Sequence, residues 1–200
     1  MTKIVVATGN AHKVEEIKAI LDGLDIELLS LKDIGYTKDI VEDGETFSEN
    51  AMIKAQTVCK EMNVIALADD SGLCVDALSG EPGIHSARYA SENGKNSTDE
   101  ENVKKLLSKL SGVKKEKRGA YFACAMALCF PDGRSFVKEG RSEGYITDEL
   151  CGNGGFGYDP VFFCPAFNKT FGELTAEEKN SVSHRKNALL QIAEVLRKEI

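Results

Sequence analysis

The stretch Val64-Ile65-Ala66-Leu67-Ala68-Asp69-Asp70-Ser71-Gly72-Leu73 joins an apolar run to two adjacent carboxylates and a glycine. An apolar run of this length is what a short buried strand requires. The aspartates then fall where the strand ends, ahead of a glycine turn, and at least one of them should face a cleft. A carboxylate so placed can bind a hard cation through oxygen or activate a water. On these residues alone, an Asp-rich turn that satisfies its own backbone amides explains the pattern equally well.

Upstream of the stretch, Phe47, Ala51, Ala55, Val58 and Met62 recur at helical spacing and predict a helix leading into the strand. Before that helix, Asp33 to Glu45 is polar and aperiodic, a loop of a length that often carries function. The chain begins with a strand (Lys3 to Thr8), a helix (Val14, Ile17, Ile20, Leu21, Leu24, with Gly23 near its end) and a second strand (Ile26 to Leu31).

Downstream, Leu78 to Ser97 reads as an extended loop closing on the Thr98-x-x-Glu101 capping box of another helix, whose apolar face is Val103, Leu106, Leu107 and Leu110. The mixed-sign run Lys114 to Arg118 reads as a solvated linker. Ala120 to Phe130, the turn Pro131-Asp132-Gly133 and Ser135 to Ile146 predict an antiparallel hairpin. Val161 to Phe163 is a further short strand, and a helix carrying Ala188, Leu189, Ile192, Val195 and Leu196 closes the chain. The sum is one α/β domain over residues 1–200, with helices flanking a mixed, partly antiparallel sheet.

With 25 Lys and Arg against 32 Asp and Glu, the composition argues against a nucleic-acid polymer or an anionic membrane as main partner. A small anion held by local charge remains open. The first apolar run, Ile4 to Ala7, is too short for a signal-peptide core, and no later segment is predicted to span a bilayer. The cysteines Cys59, Cys74, Cys124, Cys129, Cys151 and Cys164 form no C-x-x-C pair and read as reduced, buried thiols of a cytoplasmic protein.

Four further segments carry chemistry. Thr8-Gly9-Asn10-Ala11-His12-Lys13 lies between the first strand and helix, where backbone amides and the positive helix end favour an anion and Lys13 adds charge. It matches neither a dinucleotide fingerprint nor a Walker loop, and taken alone it is an ordinary turn with a solvated lysine. Glu42 precedes a helix on which Asn50 and Lys54 share a face. Asn153 to Pro160 sets Phe156 and Tyr158 among glycines, so that backbone can approach a flat ligand while a ring stacks on it; a tight hairpin with core aromatics is the alternative. Glu177 to Arg185 begins a helix, and His184, Arg185 and the amides around Ser183 gather donors at its positive end for carbonyl or phosphate oxygens; an N-capped helix with exposed charges is the alternative. His12 and His85 show no convincing partner on their own.

Thr8-Gly9-Asn10-x-x-Lys13, Phe47-x-Glu49-Asn50-Ala51, Asp69-Asp70-Ser71-Gly72-Leu73, Pro82-Gly83-x-x-Ser86-Ala87-Arg88, Gly154 to Pro160 and Ser183-His184-Arg185 occur in one order. In that order the chain resembles the inosine/xanthosine triphosphate pyrophosphatase family from Ile4 to the last helix. His85 stands where many relatives carry an aromatic. The resemblance implies a two-lobed α/β fold with a cleft between the lobes, a homodimer, a magnesium ion, and hydrolysis of non-standard purine triphosphates (ITP, dITP, XTP) to monophosphate and pyrophosphate.

Carried over by motif, it implies that Asp70 is proton acceptor and metal ligand, with Glu42 and Asp69 contributing to the metal site. Thr8, Gly9, Asn10, Ala11, His12 and Lys13 would hold the triphosphate together with Lys54 and Ser71. Phe156, Gly157, Tyr158, Asp159, Lys179, His184 and Arg185 would surround the base. Two rival readings stand beside this one: a pyrophosphatase for a modified pyrimidine triphosphate, and a sensing module that binds the nucleotide without turning it over.

Overall fold

The computed structural model describes residues 1–200. Its strands are β1 (Thr2–Val6), β2 (Ile26–Ser30), β3 (Ile65–Val75), β4 (Gly119–Cys129), β5 (Ser135–Ile146), β6 (Phe162–Cys164) and β7 (Lys169–Thr170). Its helices are α1 (Ala11–Ile20), α2 (Phe47–Met62), α3 (Asp99–Lys109), α4 (Ala176–Val182) and α5 (His184–Glu199). The strands form a single mixed sheet in the order β2-β1-β3-β4-β5-β6-β7. β1 pairs in parallel with β2 and β3, Ile4 lying opposite both Leu28 and Ile65, whereas β5, β6 and β7 pair antiparallel. The mixed α/β class expected from the sequence is therefore the observed one.

The chain divides into two compact units, one comprising residues 1–70, 124–140 and 184–200, the other 71–123 and 141–183. In the first unit the alternation of strand side chains separates two cores. Ile4, Val6, Leu67, Cys124, Met126 and Leu128 pack with Ile17 and Leu21 around α1 and with Ala188, Leu189, Ile192 and Leu196 of α5. Their neighbours Val5, Ala7, Ala66, Ala68, Ala125 and Ala127 face the other way, against Ala51, Ala55 and Val58 of α2. Small residues on both sides of that second core let α2 lie close to the strands. Gly140 serves the same end beneath α5: a Cβ there would overlap the His184 carbonyl and lie 2.5 Å from the Ala188 nitrogen.

The second unit is built on aromatics. Phe162 sits with its ring centroid 4.6 Å from Phe122 and 4.9 Å from Phe171, and Leu73, Val75, Ile146, the α3 residues Val103 and Leu106, and Leu110 at the end of α3 complete the core. Helix α3 starts with the expected capping box, Thr98 and Glu101 each bonding the other's backbone amide.

Four sequence expectations are corrected. β3 does not end at the aspartates: it runs from Ile65 to Val75, so Asp69 to Gly72 lie mid-strand and Gly72 makes no turn. The extended loop Leu78 to Ser97 contains a 3-10 helix, Gly83–Arg88. Residues 177–185 do not begin one helix. α4 ends at Val182, Ser183 is extended (φ −71°, ψ 150°), and α5 starts at His184. Arg118 is no solvated linker residue; it is buried and donates to the carbonyls of Leu110, Val113 and Thr147.

Candidate active site

The pleat of β3 sends Asp69 to the α1/α5 side of the sheet and Asp70 to the α2 side. Both are buried. Asp69 meets Lys13 from the first turn of α1 through Oδ1, and through Oδ2 it accepts from Arg185 Nε at 2.9 Å and from the Cys124 thiol at 3.1 Å. Arg185 is itself fully buried and also pairs with Glu16 of α1. Burial opposes the charge on Asp69, but Arg185 and Lys13 overcome it and hold the carboxyl well below the usual carboxylate range.

Asp70 has a different environment. Its Oδ1 accepts from Lys54 Nζ at 3.0 Å, and Lys54 also donates to Glu42 at 2.6 Å. Burial pushes Asp70 up; Lys54 and Lys13 pull it back and Glu42 adds repulsion, and the carboxyl ends above its ordinary range. Lys54 is held above the usual lysine value, because the attraction of Asp70 and Glu42 outweighs the burial that would lower it. Glu42 reaches this point because its loop is tied to α2: Gly44 N–H donates to Asn50 Oδ1 at 2.9 Å, and a Cβ on Gly44 would lie 2.7 Å from that of Glu49.

A hard divalent cation fits two of these three acids. Asp70 Oδ2 is buried with no hydrogen-bond partner, and Glu42 and Asp70 already share one cationic group, the Lys54 ammonium. Both oxygens of Asp69 are engaged, and no group of three or more His, Cys, Asp or Glu side chains converges as a metal cage.

The loop Thr8 to Lys13 is shaped by its own side chains. Asn10 caps α1 by accepting from Lys13 N–H at 3.2 Å, while Asn10 N–H donates to Thr8 Oγ1 at 3.2 Å. Gly9, Asn10, Ala11 and His12 are exposed. A Cβ on Gly9 would meet no atom within 4 Å, and its backbone is not left-handed, so nothing within the protein requires glycine there.

In the second unit, Lys179 Nζ donates to Asp159 Oδ2 at 2.6 Å and lies 4.5 Å from the centroid of the Phe156 ring. Asp159 in turn accepts from Phe156 N–H at 2.9 Å, and Gly157 N–H donates to Asp99 at 2.6 Å. Gly155, at φ +74°, is packed so closely on the Asp159 carboxylate that a Cβ has no room. Of the two rings expected to flank a flat ligand, Tyr158 is a core residue whose hydroxyl donates to the Ser86 carbonyl at 2.8 Å; Phe156 is the half-buried one. Ser71, next to Asp70 on β3, is partly buried, and His184 is buried at the start of α5.

Glu16 and Cys124 were not singled out from the sequence. Glu16 had a signal, since it shares a helix face with Lys13 three residues earlier. Cys124 had none, because its contact with Asp69 spans 55 residues.

Fold and site define a mixed α/β protein in which adjacent strand carboxylates are divided by the sheet between two sets of buried cations. The chain belongs to the Ham1 family, which it matches over residues 4–195. It is 50% identical over 196 residues to the dITP/XTP pyrophosphatase of Bacillus licheniformis, covering 98% of each chain, and 51% identical over 189 residues to that of Geobacter sulfurreducens, covering 94% of each. Among solved structures it resembles the Ham1 protein of Staphylococcus aureus, with a TM-score of 0.87, 40% identity and full coverage of both chains. A HAM1 protein from Coxiella burnetii superposes with a TM-score of 0.88 at 40% identity, covering 99% of this chain and 100% of that one.

Proposed function

We propose that this chain hydrolyses non-standard purine nucleoside triphosphates (dITP, ITP and XTP) to the monophosphate and pyrophosphate, removing them from the nucleotide pool. Family membership and the near-full-length match to proteins named dITP/XTP pyrophosphatase support the reaction. The observation that carries it is Asp70: a buried carboxylate with one oxygen on Lys54 and the other without a partner, next to Glu42.

In this reading Thr8 to Lys13 and Ser71 bind the triphosphate, with backbone amides and Lys13 matching its charge. Glu42 and Asp70 would hold magnesium, which when bound would screen the phosphate charge that repels a nucleophile. Asp70 accepts the proton of the attacking water, and Lys54, already balanced between the two acids, moves its charge toward the departing pyrophosphate. Phe156 stacks on the base, while Asp159, Lys179 and His184 supply the polar contacts around it; Arg185 is fully buried on Asp69 and Glu16.

A donor aimed at a 6-keto oxygen accepts hypoxanthine and xanthine, whereas the 6-amino group of adenine leaves that donor unpaired at a cost of about 1–3 kcal/mol. Guanine shares the 6-keto group, so its exclusion needs a close wall against the 2-amino group. The resemblance also carries a homodimer and a cytoplasmic location; the six thiols, all free, suit a reducing compartment. Asp70→Asn tests the central role: turnover of dITP should fall by about a thousandfold or more while nucleotide binding stays within about threefold, and near-normal turnover would remove Asp70 from the chemistry.

A further inference from the structure

We propose that Asp69 is a positioning residue rather than a metal ligand, holding Lys13 of the anion loop and Arg185 of α5 in place, with the Cys124 thiol fixing the angle of its carboxylate. What Lys13 is positioned to do rests on the pyrophosphatase reading; the positioning itself rests on geometry. The pleat puts Asp69 on the sheet face opposite Asp70, among Cys124, α1 and α5. There its Oδ1 is taken by Lys13, and its Oδ2 by Arg185 Nε at 2.9 Å and Cys124 Sγ at 3.1 Å.

A divalent ion on Asp69 would have to displace one of these cations from a fully buried carboxylate. A displaced guanidinium would then be left in the interior without its counter-charge, the costliest way to break a buried pair, and a displaced Lys13 would lose the partner that fixes it. Glu16 on Arg185 balances the second cation, so Lys13, Arg185, Asp69 and Glu16 form a charge-balanced quartet around the buried Asp69–Arg185 pair. Asp70 has the opposite character, with an oxygen still open.

Cys124 acts as a donor in this arrangement. Burial, and then the charge of Asp69, raise its thiol well above the usual range, so it keeps its proton and points it at Oδ2. Removing it takes one donor from Oδ2 and loosens the angle at which the carboxylate meets Lys13. A serine in its place still donates.

The test uses the full chain with Cys124→Ala, Cys124→Ser and Asp69→Asn, reading calorimetric affinity for inorganic pyrophosphate, Mn2+ affinity by electron paramagnetic resonance, and dITP kinetics. Cys124→Ala should weaken pyrophosphate binding and raise KM by about fivefold with kcat little changed, and Cys124→Ser should restore both to within about twofold of wild type. Asp69→Asn should weaken pyrophosphate by about thirtyfold or more while Mn2+ affinity stays within about twofold. Should Asp69→Asn fail to fold, the Cys124 pair decides alone.

Unchanged pyrophosphate affinity in Cys124→Ala, an equal loss in Cys124→Ser, or a tenfold fall of Mn2+ affinity in a folded Asp69→Asn overturns the assignment. Wild-type protein that binds no pyrophosphate overturns the proposed function and this assignment together. Wild-type turnover with indifferent variants overturns the assignment alone.

Discussion

Replacing Gly9 with alanine should make the protein more stable and less active at once. The added Cβ meets nothing within 4 Å and the backbone at Gly9 is not left-handed, so the folded state accepts a methyl group without strain. The unfolded chain loses freedom, which stabilises the fold by about 0.4–1 kcal/mol, or about 1–4 °C in Tm for a chain of this size. If the loop holds a triphosphate through its backbone, the same methyl stands where phosphate oxygen must approach. Losing one charge-assisted hydrogen bond costs about 1.5–3 kcal/mol, so KM for dITP should rise by about tenfold to about 150-fold. Thermal melts and steady-state kinetics on the two proteins suffice. An unchanged KM would mean that phosphate does not touch this loop, and a lowered Tm would mean that the glycine serves the fold.

Gly140→Ala, the same change in a crowded place, should act in reverse: with no room beneath the His184 carbonyl, overpacking should cost about 1–3 kcal/mol and lower Tm by about 2–12 °C in a melt. Lys54→Met should move the Asp70 carboxyl further above its ordinary range, since Lys54 leads the groups that hold it down, whereas Glu42→Gln should move it down; carbon NMR titration of the carboxyl reads both directions. Because the folded-state value is the higher one, Asp70 detracts from stability progressively as pH rises from the unfolded value toward the folded one, and urea midpoints across that window should show a deeper loss in Lys54→Met.

Local chemistry made much of the fold legible. The β4–β5 hairpin was readable because Pro131-Asp132-Gly133 breaks two β-rich runs, and the start of α3 because Thr98 and Glu101 are spaced for a capping box. The site was legible where motif and helix end coincide, as at Asn10 and Lys13. It was illegible where partners are far apart in sequence. The aspartates look like a strand end because charge follows an apolar run, yet β3 continues: buried cations from helices 116 residues downstream and 16 upstream neutralise them in mid-strand. Tyr158 reads as a ligand platform until its hydroxyl finds the Ser86 carbonyl, 72 residues away. The break between α4 and α5 carries neither glycine nor proline; it is set by Ser183, buried and extended between two helices.

The most direct measurement of the central proposal is product analysis on a panel of triphosphates (dITP, ITP, XTP, dATP, dGTP and modified pyrimidine triphosphates), with magnesium and with a chelator. Pyrophosphate, not orthophosphate, should be released from dITP, ITP and XTP in magnesium alone, with adenine discriminated by at least about tenfold in kcat/KM. Orthophosphate release, preference for a pyrimidine, or tight binding of dITP with no product would contradict it.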